Sequence, residues 1–229
     1  MEMIDMGELR PVEKLCLMGL AGEEKVTPKN ELAAILAYLC YCEYVVIEAD
    51  SLRLTPSGER TITSRMARAS GILRTYEIAI LENVGRYDFM NLMSTMFAGD
   101  FGEELISQGL WRIEKTKGRI FDRRTVVQTE IALPILDKMK EVRTTIEKAI
   151  ASGRPLSPRE LMDAYAFPSV ILCGDLEKDA QRIFGSACRG QQANNLFLIA
   201  TITEVIQEMA TNQLLAQIQA NQNTQLGVS

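Results

Sequence analysis

Six basic residues fall within the thirteen positions from Arg112 to Arg124: Arg112, Lys115, Lys117, Arg119, Arg123 and Arg124, against the two acids Glu114 and Asp122. The chain as a whole carries a formal net charge of -5, so the segment stands out against an acidic background. Lysine and arginine attract phosphate, whether on a lipid headgroup or on a nucleic acid. Trp111 and Phe121 interleave with the charges, and aromatic residues settle at a membrane interface. The structural alternative is a solvated strand face with ordinary cross-strand pairs and core-facing aromatics. These six cations are the candidate lipid- or anion-binding residues, and Trp111 and Phe121 the candidate membrane-interface or oligomer contacts.

Other chemistries find little support. Histidine is absent, which removes Ser-His and Cys-His nucleophile pairs, most zinc sites and the usual proton shuttle at neutral pH. Cys16, Cys40, Cys42, Cys173 and Cys188 are odd in number and irregular in spacing, and read as small core hydrophobes in a reducing compartment. Cys40 and Cys42, two apart on a helix, cannot converge on one metal. The acid pairs Glu23-Glu24 and Glu103-Glu104 are adjacent residues that diverge on a helix, and they read as surface acids. No G-x-x-x-x-G-K-[ST] phosphate loop occurs. The expectation is a protein without catalytic residues, metal or cofactor.

The elements that must position the basic segment are mostly helical. Pro11 suits a first turn, and Val12, Leu15, Cys16, Gly19 and Leu20 share a face of a helix over 11–21. Thr27-Pro28 pairs an N-cap with proline at the first helical position and opens a helix over 28–42 that is apolar nearly all round. Tyr44 to Glu48 and Leu52 to Thr55 form a hairpin, with Asp50-Ser51 turning the chain and Pro56-Ser57-Gly58 stopping the strand. Helical spacing returns from 60 to 97, through Ile72, Leu73, Tyr76, Ile80 and Leu81 and then Phe89 to Phe97, where Met90, Met93 and Met96 fill a core. A short helix over 102–109 leads to a second hairpin, Trp111 to Glu114 with Arg119 to Val127, turning at Lys117-Gly118. A charged amphipathic helix follows over 131–151. Ser157-Pro158-Arg159-Glu160 is a capping box opening a helix over 157–185 that Pro168 must kink or split, and a last helix spans 192–218.

The expected fold is mainly α: a single compact helical domain over 1–212 with two short β-hairpins, followed by a polar Gln/Asn-rich tail over 213–229. Apolar content of 47% and charged content of 24% are ordinary for a globular protein. The opening MEMIDMGELR lacks the basic and apolar regions of a signal peptide, and no apolar run approaches the roughly 18 residues a span requires. The expected location is cytoplasmic, peripheral on the cytoplasmic membrane face.

Helix, turn, helix and a hairpin ending in LRLTPSGE outline a winged helix. A recognition helix presents Arg, Lys, Asn or Gln to base edges, and ELAAILAYLCYC (31–42) contains none of these. No nucleic-acid partner is expected, and a winged-helix DNA-binding regulator is the least favoured reading.

The order of the pieces resembles the Golgi phosphoprotein 3 family. EKLCLMGL is similar to the family's opening helix, ELAAILAYLCYCEYVVIE to its apolar helix running into the first strand, and FGEELISQGLWRIEKTKGRIFDRRTVVQTE to its helix and second hairpin. ILDKMKEVRTTIEKAI and VILCGDLEKDAQRIFG are similar to its charged and late apolar helices, so the likeness covers most of 10–210. The resemblance implies a non-enzymatic, peripheral membrane protein that binds anionic phospholipid headgroups and serves as an adaptor, with its second hairpin also available for homo-oligomer contacts. It departs from the family where the headgroup pocket is built. Val26-Thr27-Pro28 stands in place of a tryptophan, Leu32 or Ala33 in place of an arginine, and Ala98-Gly99-Asp100-Phe101 in place of two arginines. The arginine-rich N-terminal arm is also missing. Headgroup specificity is therefore not carried over, and the alternative is a protein–protein interaction or self-assembly module without lipid binding.

Overall fold

The computed structural model describes residues 9–48, 51–64, 72–86, 101–116, 123–171, 199 and 211–212. Within them the chain runs α1 (Pro11–Leu20), α2 (Pro28–Tyr41), β1 (Val45–Glu48), β2 (Ser51–Leu54), α3 (Pro56–Thr63), α4 (Thr75–Arg86), α5 (Phe101–Ser107), β3 (Trp111–Thr116), β4 (Arg123–Gln128), α6 (Ala132–Ala151), α7 (Pro158–Ala164) and α8 (Pro168–Ile171). The fold is mainly helical with two small antiparallel two-stranded sheets, β1-β2 and β3-β4.

The helix starts follow local chemistry. The Thr27 hydroxyl accepts from Asn30 N, and Ser157 and Glu160 complete a reciprocal capping box. Each such cap satisfies backbone donors that the helix leaves open. Thr55-Pro56 is a third instance of the same signal. The Thr55 hydroxyl accepts from Gly58 N, so Pro56 opens α3 as well as closing the strand. Gly58 is there for space, since a Cβ on it would lie 2.1 Å from the Tyr44 carbonyl oxygen. Pro168 does split its helix: α7 ends at Ala164 and α8 begins at the proline.

The core is one contiguous cluster around α1 and α2. α2 presents no exposed residue along its length, as its apolar sequence requires. α1 is more buried than its amphipathic pattern suggests. Residues 11–18 are all buried, Glu13 and Lys14 included, whereas Leu20, expected on the core face, is 40% exposed. α1 can take this position because its charges are paired internally: Lys14 Nζ lies 2.7 Å from Asp163 on α7. Around α1 pack α2, α5, α6, α7 and the end of β4. Ile72 also departs from expectation, being 59% exposed just before α4, while Leu73, Tyr76, Ile80 and Leu81 are buried. The methionines at 90, 93 and 96, the turns at 50 and 117–118, Cys173 and Cys188, all but a few residues of the last helix and the tail lie outside the described residues.

Candidate functional site

The β3-β4 hairpin stands on a fixed root. α5 ends at a turn in which Gly109 takes φ +72°, a left-handed conformation that suits glycine. Leu110 at the start of the hairpin is fully buried. Trp111 packs over α5, where a Cβ on Gly102 would come within 3.0 Å of its ring. Gln128, opposite Trp111, donates from its amide to the Leu17 carbonyl of α1 at 2.7 Å. The Thr129 hydroxyl donates to the Gly109 carbonyl at 2.7 Å. Trp111 is thus half-buried and seated in the body, and its buried indole Nε1 has no hydrogen-bond partner among the described residues.

Beyond the root the pairing runs Arg112 with Val127, Ile113 with Val126, Glu114 with Thr125, Lys115 with Arg124 and Thr116 with Arg123. Directly opposed residues share a face and alternate residues change face. One face therefore carries, from root to tip, Trp111 and Gln128, then Ile113 and Val126, then Lys115 and Arg124. Ile113 and Val126 are 48% and 37% exposed. Lys115 and Arg124 are exposed and have no acidic partner among the described residues. The other face holds Arg112 and Glu114, joined by two hydrogen bonds of 3.0 and 2.7 Å to one carboxylate oxygen.

The six basic candidates thus separate. Arg112 is committed to Glu114. Lys115 and Arg124 form a like-charge cross-strand pair, an arrangement that weakens a sheet unless an anion lies between the charges. Arg123 is placed in β4 opposite Thr116, and its side chain is not described. Lys117, Arg119 and Phe121 lie outside the described residues. The second strand is placed at Arg123–Gln128 and the first continues to Thr116. Sequence reading passed over Ile113 and Val126. Their signal was the alternation Trp111, Ile113, Lys115, legible only once the register is known.

The acid pairs behave unevenly. Glu103 is exposed and Glu23 pairs with Lys140 at 2.9 Å. Glu24, expected at the surface, is buried. It accepts from the Ser169 amide at 3.0 Å and from the Ser169 hydroxyl, and lies 3.4 Å from Arg143. It borders an open cleft of about 590 Å³ lined by Gly22, Glu23, Lys25, Asn30, Pro168 and Ser169. Glu104 pairs with Arg74 at 2.8 Å. Glu31, in the first turn of α2, is buried with no hydrogen-bond or ion-pair partner for its carboxyl among the described residues, and burial pushes that carboxyl up to about 7. Cys16 and Cys40 are buried, and desolvation raises both thiols far above their ordinary range, which makes them inert. Cys42 is partly buried and its thiol is also raised. Among the described residues no cluster of His, Cys, Asp or Glu could hold a metal ion, and no helix is long and apolar enough to cross a membrane.

No protein-family model matches the chain, and neither a curated protein nor a solved structure matches it. The likeness to the Golgi phosphoprotein 3 family therefore rests on the order of sequence patterns.

Proposed function

We propose that this chain is a non-enzymatic protein of the Golgi phosphoprotein 3 type that docks reversibly on an anionic membrane, at its cytoplasmic face, through the β3-β4 hairpin. The observation that carries the reading is the pairing of Lys115 with Arg124 beside the bare Ile113–Val126 pair. A lipid phosphate between the two cations relieves their repulsion. The aliphatic pair, one step closer to the body on the same face, suits the boundary between headgroups and acyl chains. Each Lys or Arg near an acidic leaflet contributes about 1 kcal/mol, so a few of them give weak, salt-sensitive attachment. Arg112 contributes least, because Glu114 already neutralises it. Flotation with phosphatidylcholine vesicles, with and without phosphatidylserine, tests the reading: binding is expected only with the anionic lipid and is lost in Lys115→Glu/Arg124→Glu. Equal flotation of the double variant overturns the site.

A second reading uses the same face for self-association, favoured by the exposed aliphatic pair. Two copies meeting there would bring like-charged pairs together, so salt should strengthen the assembly. Light scattering across a salt series separates the two readings, since salt weakens vesicle docking.

A further inference from the structure

Two short stretches of the chain, Arg10-Pro11-Val12-Glu13 and Arg74-Thr75-Tyr76-Glu77, share the pattern R-x-x-E at a helix start. In each, the glutamate reaches back to the backbone N–H of its own arginine: Glu13 to Arg10 at 2.9 Å, Glu77 to Arg74 at 2.8 Å. Each arginine then crosses to the other helix. Arg10 Nε donates to Glu77 at 3.1 Å, and Arg74 Nε donates to Glu13 at 3.0 Å. The two helix starts are joined by an exchange of arginines, with Glu13 and Glu77 only 0% and 1% exposed. Arg10 also donates to the Ile72 carbonyl at 2.8 Å and lies 4.0 Å over the Tyr38 ring. The Tyr76 hydroxyl donates to Glu13 at 3.0 Å.

Among the described residues, the charges in this cluster do not balance. Glu13, Glu77 and Glu104 face two guanidiniums, Arg10 and Arg74, so one proton would neutralise the group. We propose that this crossed clamp is a proton-operated latch between α1 and α4, closed when Glu77 holds a proton and loosened when it does not. Among the described residues, the groups facing Glu77 are Arg10 and Glu13 at the start of α1, Tyr38, Cys42 and Tyr44 in and after α2, Arg74 just before α4 and Tyr76 on it. Arg159 of α7 acts on the neighbouring Cys42. Among the described residues, the other elements packed on α4 are β2 and α3, whose Arg53, Glu59 and Arg60 are exposed. Burial raises the Glu77 carboxyl to about 7, against the opposing pull of Arg10 and of the Arg74 N–H. Because its folded value lies above its ordinary one, the latch holds at mildly acidic pH and loosens as pH rises through neutrality. Arg74 extends the cluster to Glu104 on α5, so loosening reaches the helix that seats the hairpin. The latch does not depend on what the hairpin binds.

Hydrogen exchange of the full chain between pH 5 and 8, corrected for intrinsic rates, tests the latch. Protection of α4 amides that exchange by local opening is expected to fall by up to about tenfold per pH unit between about 5 and 7, the limit for one linked proton, and to level off above 7, while locally exchanging amides of α6 change much less. Glu77→Gln removes the slope, and Glu31→Gln leaves it. Equal slopes in α4 and α6, or a slope that survives Glu77→Gln, overturns the latch. If Glu77→Gln does not fold, carboxyl-carbon NMR of Glu31→Gln decides. One carboxyl titrating near 7 is expected, and none overturns the proposal.

Discussion

The hairpin and the crossed clamp use basic side chains in opposite ways. In the clamp, Arg10 and Arg74 meet carboxylates that are almost entirely buried, and each bond also fixes a helix start. In the hairpin, Lys115 and Arg124 face each other across an open sheet with no acidic partner among the described residues. A buried pair cannot lose one member without stranding a desolvated charge, whereas an exposed cation can be removed at little cost to the fold. The clamp therefore ties two helix starts together, and the cation pair of the hairpin is left exposed.

The largest expected effect breaks this comparison on the clamp side. Arg74→Ala strands Glu13 and removes the partner of Glu104, and should cost about 3–5 kcal/mol in denaturant unfolding. Lys115→Ala/Arg124→Ala should stay within about 0.5 kcal/mol of the parent. Comparable losses in both would erase the distinction.

Next comes pH. Glu31 and Glu77 both have folded values raised to about 7. The native state therefore takes up protons that the unfolded chain releases, and stability is lost as pH rises from about 4.5 through 7. Glu160 is lowered to about 2, chiefly by its hydrogen bond with Arg154, and its contribution is lost as pH falls from about 4.5 through 2. Stability should peak at mildly acidic pH, and Glu31→Gln/Glu77→Gln should flatten the alkaline side of the melting-temperature profile. A profile rising steadily from pH 5 to 8 contradicts the assignment.

The smallest effects lie within the hairpin. Arg112→Ala should change vesicle binding less than Lys115→Ala or Arg124→Ala, because Arg112 is already bonded to Glu114. Glu114→Gln should raise vesicle affinity a few-fold by releasing that arginine, consistent with about 1 kcal/mol per cation. Unchanged affinity would place the docking cations elsewhere.

What was legible in the sequence was local. Thr27-Pro28 and Ser157-Pro158 announced their helices through cap chemistry, and the apolar run of α2 announced its burial. Thr55-Pro56 carries the same signal, yet the strand before it drew the reading toward a stop. The clamp was hidden because R-x-x-E describes one helix start, while its meaning lies in an exchange between positions 67 and 61 residues apart. Glu24 was misplaced for the same reason: its partners, Ser169 and Arg143, are distant in sequence. In the hairpin the cations were evident from composition. Their separation into a bonded Arg112 and an open Lys115–Arg124 pair required the register, which the turn sets and which periodicity alone leaves open.

The docking proposal is tested most directly by titrating phosphatidylserine-containing vesicles into the parent chain and Lys115→Glu/Arg124→Glu at low and near-physiological salt. The parent should bind with an affinity that falls as salt rises, and the double variant should not bind while melting at the same temperature. Salt-independent binding, or binding unchanged in the folded double variant, would contradict a docking site at this cation pair.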